Sequence, residues 1–320
     1  MNIFMNPIKL IAVWLICLFG SSVYAQDLDF QVDKTAVELN KLFIRQPVLE
    51  EAKLAIDQLA DPTTDPVSSR TTLDRMTADV VRMAGLNAGN VQKLEALKRY
   101  LYESGEWNAF RPFTYDLADP LGENPTNRLL QRYLDTRQGN CITMPILFLA
   151  LGQRLGLKMT LAQAPLHVFV KYTDDSGSTW NLEATSGGGF TRDLWYRQKL
   201  PMSDDAIAKG IYLRPLRHDE AVALIASLLV EHHLAEGRFD AAILTADAIL
   251  QHYPDFAYLL VKKGSAYSAL LQRELAGKYT RPSDIPPDVK AKVDRWYQEN
   301  ITAFAQAEAL GWRPEDGQAP

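Results

Sequence analysis

The amino-acid sequence predicts an α+β fold, and three observations carry the expectation. Apolar residues recur at helical spacing from Lys34 to Tyr102, with breaks at Pro- and Gly-containing stretches. A strongly apolar helix from Cys141 to Leu155 leads into two short strands. Helical patterning then returns after about residue 217. A helical N-terminal region, a mixed core and a helical C-terminal region follow from this order.

Residues 1–25 read as a leader. They carry one base, Lys9, no acid, an apolar stretch from Leu10 to Phe19, and Val23-Tyr24-Ala25 at the end. That stretch is short for a bilayer, so a cleaved secretory signal is expected rather than a membrane helix. The mature chain would have 320 − 25 = 295 residues, in the periplasm or secreted, with no stable membrane insertion after cleavage. Loss of Lys9 moves the formal net charge from −5 to −6. A mildly acidic chain has no electrostatic pull toward nucleic acid, so none is expected as a partner. Cys17 leaves with the leader, and Cys141 remains in an oxidising compartment without an intramolecular partner. Such a thiol is either buried and inert or retained for its chemistry.

Residues 26–70 form an N-terminal helical segment, with Val37, Leu42, Leu49, Leu54, Ile56 and Leu59 near helical spacing and a break at Asp61–Pro66. Amphipathic helices are expected over Thr71–Ala84 and Val91–Tyr102, an ordered loop over Glu106–Pro125 and a short helix over Thr126–Tyr133. The apolar helix from Cys141 has Asn140 to cap it and Gly156 to end it, with Pro145 in or just past its first turn. Leu166–Tyr172 alternates, placing His167, Phe169 and Lys171 on one face; Thr179–Thr185 is the second strand, after an Asp174-Asp175-Ser176-Gly177 turn. Residues 217–320 are helical. There Gly237, Phe239, Ala242 and Pro254, then Gly264 and Tyr267, resemble a degenerate pair of tetratricopeptide repeats in a 34-residue register.

Cysteine catalysis needs a thiolate, an imidazole beside it and a group that orients the imidazole. Cys141 at a helix start, His167 on one strand and Glu183 on the next supply these types. His167 and Glu183 share a sheet face if cross-strand partners sum to 350, as a three- or five-residue loop would give; a two-residue loop, with sum 351, puts them on opposite faces. The backbone N–H of Cys141 is a natural oxyanion donor, with Gln138 as a second. The same three side chains are also a conceivable zinc set, whereas the adjacent His232 and His233 point apart on a helix. Gly187-Gly188-Gly189 lacks the Lys-Ser/Thr of a phosphate loop and reads as a turn. No cofactor and no metal is assigned.

Residues from about 70 to 190 resemble the transglutaminase-like superfamily, in its SirB1-like branch. The resemblance rests on Asn124-Pro125-Thr126-Asn127, Arg137-Gln138-Gly139-Asn140-Cys141-Ile142-Thr143-Met144, Arg154-Leu155-Gly156-Leu157, Pro165-Leu166-His167-Val168 and Leu182-Glu183-Ala184-Thr185-Ser186-Gly187-Gly188. It implies a papain-like core over 71–216, with Cys141 as nucleophile, His167 as general base and Glu183 as the orienting acid. It also makes tetratricopeptide-like helices after that core familiar. The expected activity is thiol-based hydrolysis or acyl transfer on a peptide or amide substrate. The rival expectation is a non-catalytic scaffold that holds a protein partner.

Overall fold

The first described helix, α1, spans 34–45 and ends where Gln46 turns left-handed (φ 45°) ahead of Pro47. A computed structural model describes residues 34–314, so the expected leader over 1–25 lies outside the described residues. Helix α2 follows at Leu49–Ala60. The patterning that read as one helical stretch is therefore two helices, split because proline has no N–H to continue the ladder. Helix α3 runs from Pro66, not Thr71, to Ala84. Asp65 accepts from the N–H groups of Val67 and Ser68, and Pro66 occupies the first turn, where its missing donor costs little. Helix α4 spans Asn90–Tyr102. The expected loop after it holds a 3-10 turn at Glu106–Asn108 and a two-residue strand, β1, at Thr114–Tyr115. A second 3-10 turn at Pro125–Arg128 leads into α5 at Leu130–Thr136, and β2 at Gln138–Gly139 pairs in parallel with β1.

Helix α6 spans Thr143–Arg154 and is buried from Thr143 to Gly152. Ile146, Leu147, Phe148, Leu149 and Leu151 lie at its centre. At about 1.5–3 kcal/mol for each large apolar side chain removed from water, this helix anchors the middle of the protein. Beside it stands an antiparallel sheet in the order β3-β4-β5-β6, at Lys158–Ala164, His167–Thr173, Thr179–Glu183 and Gly189–Thr191. Two strands were expected and four are present. The β3–β4 turn escapes recognition because its two residues are Pro165 and Leu166, and Leu166 adopts φ 51°, a conformation usually left to glycine. Gly187 and Gly188 do make a left-handed turn, but Gly189 already belongs to β6.

Period-two alternation divides the sheet cleanly. Met159, Leu161, Val170, Tyr172 and Leu182 join the cluster containing α6, while Ala162, Ala164 and Phe169 face a second cluster with Tyr196 and Leu260. The outer edge of β3 is covered by the chain at 213–216: Leu213 donates to the Gln163 carbonyl and Leu216 to that of Leu161, both at 2.9 Å. A covered edge is protected from pairing with another strand.

Helices α7 (Asp193–Lys199) and α8 (Asp204–Ala208) precede four longer ones: α9 (His218–Ala235), α10 (Phe239–Leu250), α11 (Ala257–Leu275) and α12 (Pro287–Ala309). Gly237, at φ 69°, makes the turn between α9 and α10. A Cβ on Gly264 would lie 2.8 Å from the Phe304 ring, so this glycine lets α11 and α12 approach closely. Ala242 is buried, but Phe239 is only half-buried, with the Arg273 guanidinium 5.3 Å above its ring. Helix α9 packs on α2 and β3 with most of its surface buried, and one apolar cluster runs from Leu39 to Leu270. No helix among the described residues is long and apolar enough to cross a membrane.

Candidate active site

Cys141 sits two residues ahead of α6, on a turn rather than in the helix as expected. Asn140 is the reason. Its Oδ1 accepts from the N–H groups of Ile142 and Thr143, both at 3.0 Å, and its Nδ2 donates to the Asn127 carbonyl at 2.9 Å. The cap therefore closes around Cys141 and ties it to the Pro125–Arg128 turn. Gly139, one residue earlier, lies so close to Tyr133 that a Cβ would come within 2.4 Å of the ring. The motifs around Cys141 are thus the parts of one rigid loop.

Cys141 is buried, 3% exposed, and its Sγ donates to the Leu166 carbonyl at 3.5 Å. The left-handed Leu166 belongs to the tight turn that starts β4, so His167 enters the strand next to the sulfur. Glu183 ends β5. The cross-strand sum is 352, from Val170↔Leu182 to Thr173↔Thr179, not 350. The loop between the strands is the five residues 174–178, held by Asp174 Oδ1, which accepts from the N–H groups of Ser176 and Ser178. An even sum keeps His167 and Glu183 on one face. Their side chains meet, with Nε2 of His167 2.7 Å from Oε2 of Glu183.

This contact commits Nε2 to the carboxylate. Burial disfavours the imidazolium, but hydrogen bonds to Cys141 and Glu183, with the charge of Glu183, outweigh it and push His167 up to about 9. Burial likewise raises Glu183, yet His167, Thr185 and Tyr196 hold it below the usual carboxylate range. All four of those hydrogen bonds are in place. Oε1 accepts from the Thr185 N–H at 3.1 Å and hydroxyl at 2.6 Å; Oε2 accepts from His167 and from the Tyr196 hydroxyl at 2.8 Å.

Cys141, His167 and Glu183 thus lie together as an ordered chain. Thr185 and Tyr196 were not singled out from the sequence. Thr185 could have been, since it stands two residues after the acid, where a hydroxyl bonds back to a turn. Tyr196 comes from α7 with no local signal. The oxyanion expectation fails in its simple form: the Cys141 N–H donates to the Pro120 carbonyl at 3.2 Å, which also accepts from the Tyr115 hydroxyl at 3.2 Å. Gln138 is exposed on β2 and does not line the cavity beside Cys141. No group of three or more His, Cys, Asp or Glu among the described residues is arranged to hold a metal ion.

Residues 68–223 match the family model described as "Transglutaminase-like superfamily". This stretch is a transglutaminase-like domain. The chain is similar to the UPF0162 protein YchA of Escherichia coli (strain K12), 22% identical over 182 residues, 56% of this chain and 64% of that protein. It is also similar to a UPF0162 protein of Xylella fastidiosa (strain 9a5c), 25% identical over 187 residues, 57% of this chain and 63% of the relative. The chain spans less than two thirds of the length of either relative. No solved structure matches.

The transglutaminase-like domain supplies only part of the lining of the cavity that holds the thiol. This cavity, about 530 Å³, is lined by Cys141, Leu166 and His167 and also by residues beyond 223, among them Glu231, Phe256, Tyr258 and Lys262. Its lining is mostly apolar, as in a pocket that holds an organic ligand. Glu231, on α9, pairs with Lys262 of α11 at 2.7 Å and Arg128 of the transglutaminase-like domain at 3.3 Å, and accepts from the Tyr258 hydroxyl. Burial pushes Glu231 up, but the two cations hold it below the ordinary carboxylate range. None of these residues stood out in the sequence, because the pairs join positions 31 and 103 residues apart.

Proposed function

We propose that the protein is a thiol-dependent amide hydrolase or acyltransferase acting on a peptide or amide substrate. The reading rests above all on His167, which bonds Glu183 through Nε2 and follows Leu166, whose carbonyl accepts from the Cys141 sulfur. In the forward step, the Cys141 sulfur attacks the substrate carbonyl carbon and His167 delivers a proton to the departing amine. The amine leaves with its bonding electron pair, and the acyl group remains as a thioester on Cys141. Water or a second amine then attacks the thioester while His167 takes its proton, releasing an acid or a new amide and restoring the thiol. Glu183 holds the imidazole in one tautomer, in the role of the third member of a triad. The motif order supports a place in the SirB1-like branch. The close approach at Gly264 supports tetratricopeptide-like packing in residues 217–320. Residues 1–25 support export to the periplasm.

One observation favours the rival reading of a binding scaffold. The N–H of Cys141 is committed to Pro120, so the tetrahedral oxyanion needs either that bond to open or another donor. Incubation with p-nitrophenyl acetate separates the two readings. For an enzyme, intact mass shows one acetyl group, peptide mapping places it on Cys141, and His167→Ala forms it far more slowly. Equal nitrophenol release by parent and Cys141→Ala rules the enzymatic reading out.

A further inference from the structure

The lining of the cavity that holds the thiol carries two cations, Arg128 and Lys262, on one carboxylate. Arg128 and Lys262 share one carboxylate, Glu231, and their side chains are 13% and 26% exposed. Below them Lys53 and Asp57 form a buried pair that is neutral overall, with Lys53 donating to the Arg128 carbonyl at 2.7 Å. The remaining charged side chain on the lining besides His167 is Glu123, which is exposed and screened by water. Partly buried cations in an apolar cavity keep much of their field, because little solvent lies between them and a ligand. Arg128 is also held in place, since its Nε donates to the Gly122 carbonyl, so its guanidinium is presented without further ordering.

We infer that Arg128 and Lys262 bind a carboxylate of the substrate that is acylated onto Cys141. The inference rests on the thiol reading proposed above and narrows it to acidic acyl donors. The apolar lining between the two ends, with Leu224, Leu228 and Phe256, would hold an aliphatic portion next to that carboxylate. The recognised group is either the terminal carboxylate of a short peptide or an acidic side chain within a longer one. Placing cations on α11 and on the transglutaminase-like domain makes the C-terminal helices part of the substrate site.

The test uses three affinity reagents on the full chain: N-iodoacetyl-leucine, N-iodoacetyl-leucinamide and N-iodoacetyl-glutamic acid α-amide, whose side-chain carboxylate is free. Each loses iodide, with its electron pair, as the Cys141 sulfur forms the new C–S bond. At low salt, N-iodoacetyl-leucine should label Cys141 roughly tenfold or more faster than its amide, since one hydrogen bond to a charged group is worth about that factor. Lys262→Met should remove most of the preference and Lys262→Arg should restore it, with melting curves confirming that both fold. Faster labelling by the glutamate reagent than by either leucine reagent assigns the site to an acidic side chain instead of a terminus. Equal rates for all three reagents, or a preference unchanged by Lys262→Met, overturn the inference while leaving the thiol reading intact. No labelling by any reagent until the protein is denatured overturns both.

Discussion

Two buried carboxylates, Glu183 and Glu231, are built alike and do different work. Each accepts from a tyrosine hydroxyl, Tyr196 in one case and Tyr258 in the other, and each is held below the usual carboxylate range by a cationic partner. The partner of Glu183 is an imidazole, raised from 6.5 to about 9, which loses its proton as the solution becomes alkaline. The partners of Glu231 are the Arg128 guanidinium and the Lys262 ammonium, both ion-paired to the one carboxylate. The same device therefore makes a titrating pair beside the thiol and a fixed ion cluster on the lining of the same cavity.

The largest consequence is at the fixed cluster. Glu231→Ala leaves Arg128 and Lys262 facing each other without their shared anion. Breaking a buried ion pair costs about 3–5 kcal/mol, and the partial exposure of Lys262 brings the expected loss to about 3 kcal/mol. Urea denaturation should show that loss at pH 6.5 and pH 9 alike, because the lowered Glu231 contributes fully above its unfolded value. A loss that disappears at pH 9 would erase the contrast with Glu183.

The titrating pair should behave otherwise. His167 is raised from 6.5 to about 9, so its contribution to stability is complete below about pH 6.5 and is lost as pH rises through about 9. The lowered Glu183 contributes above its unfolded value of 4.5 and loses that contribution as pH falls through its folded one. Glu183→Gln should then cost about 2–3 kcal/mol near pH 6.5 and less than about 1 kcal/mol at pH 10, where the imidazole is neutral. Stability curves for parent and variant across that range should converge. Parallel curves would mean that His167 carries no charge in the folded protein at pH 6.5.

Tyr196→Phe is the smallest change. It removes one donor to Glu183 and keeps the ring, which stacks on Phe169 at 4.3 Å between centroids. A single hydrogen bond to a charged group is worth about 1.5 kcal/mol, and the urea midpoint should fall accordingly. An unchanged midpoint would mean that Thr185 and His167 suffice to hold the carboxylate.

The residues of the titrating pair were legible in the sequence and those of the fixed cluster were not. Cys141, His167 and Glu183 stand in short motifs whose local chemistry is visible: a capping Asn140, a turn before a strand, and an acid before Ala-Thr-Ser. The parity of the hairpin could be framed in advance, but not its register, because Asp174 chooses a five-residue loop through hydrogen bonds that composition does not reveal. Strand β3 escaped because Leu166 adopts a glycine-like angle. The position of Cys141 two residues ahead of α6 depends on Asn140 closing the turn beneath it, and the loss of its N–H depends on Pro120, 21 residues earlier. Arg128, Glu231 and Lys262 meet only because α9 and α11 pack against the domain that carries the thiol. Long-range pairings of this kind leave no local pattern.

The central claim, that His167 activates Cys141 across the end of the sheet, has a direct measure. The rate of iodoacetamide labelling of native protein at pH 6 and pH 9 is compared for the parent and His167→Ala, with folding checked by melting. An imidazolium beside the sulfur supplies the countercharge for its reactive form, so the parent should label readily at pH 6. His167→Ala should be slower there by roughly tenfold or more, with the gap narrowing at pH 9. Labelling that requires denaturation, or identical rates for parent and variant at both pH values, would contradict the claim and leave the transglutaminase-like domain as a scaffold.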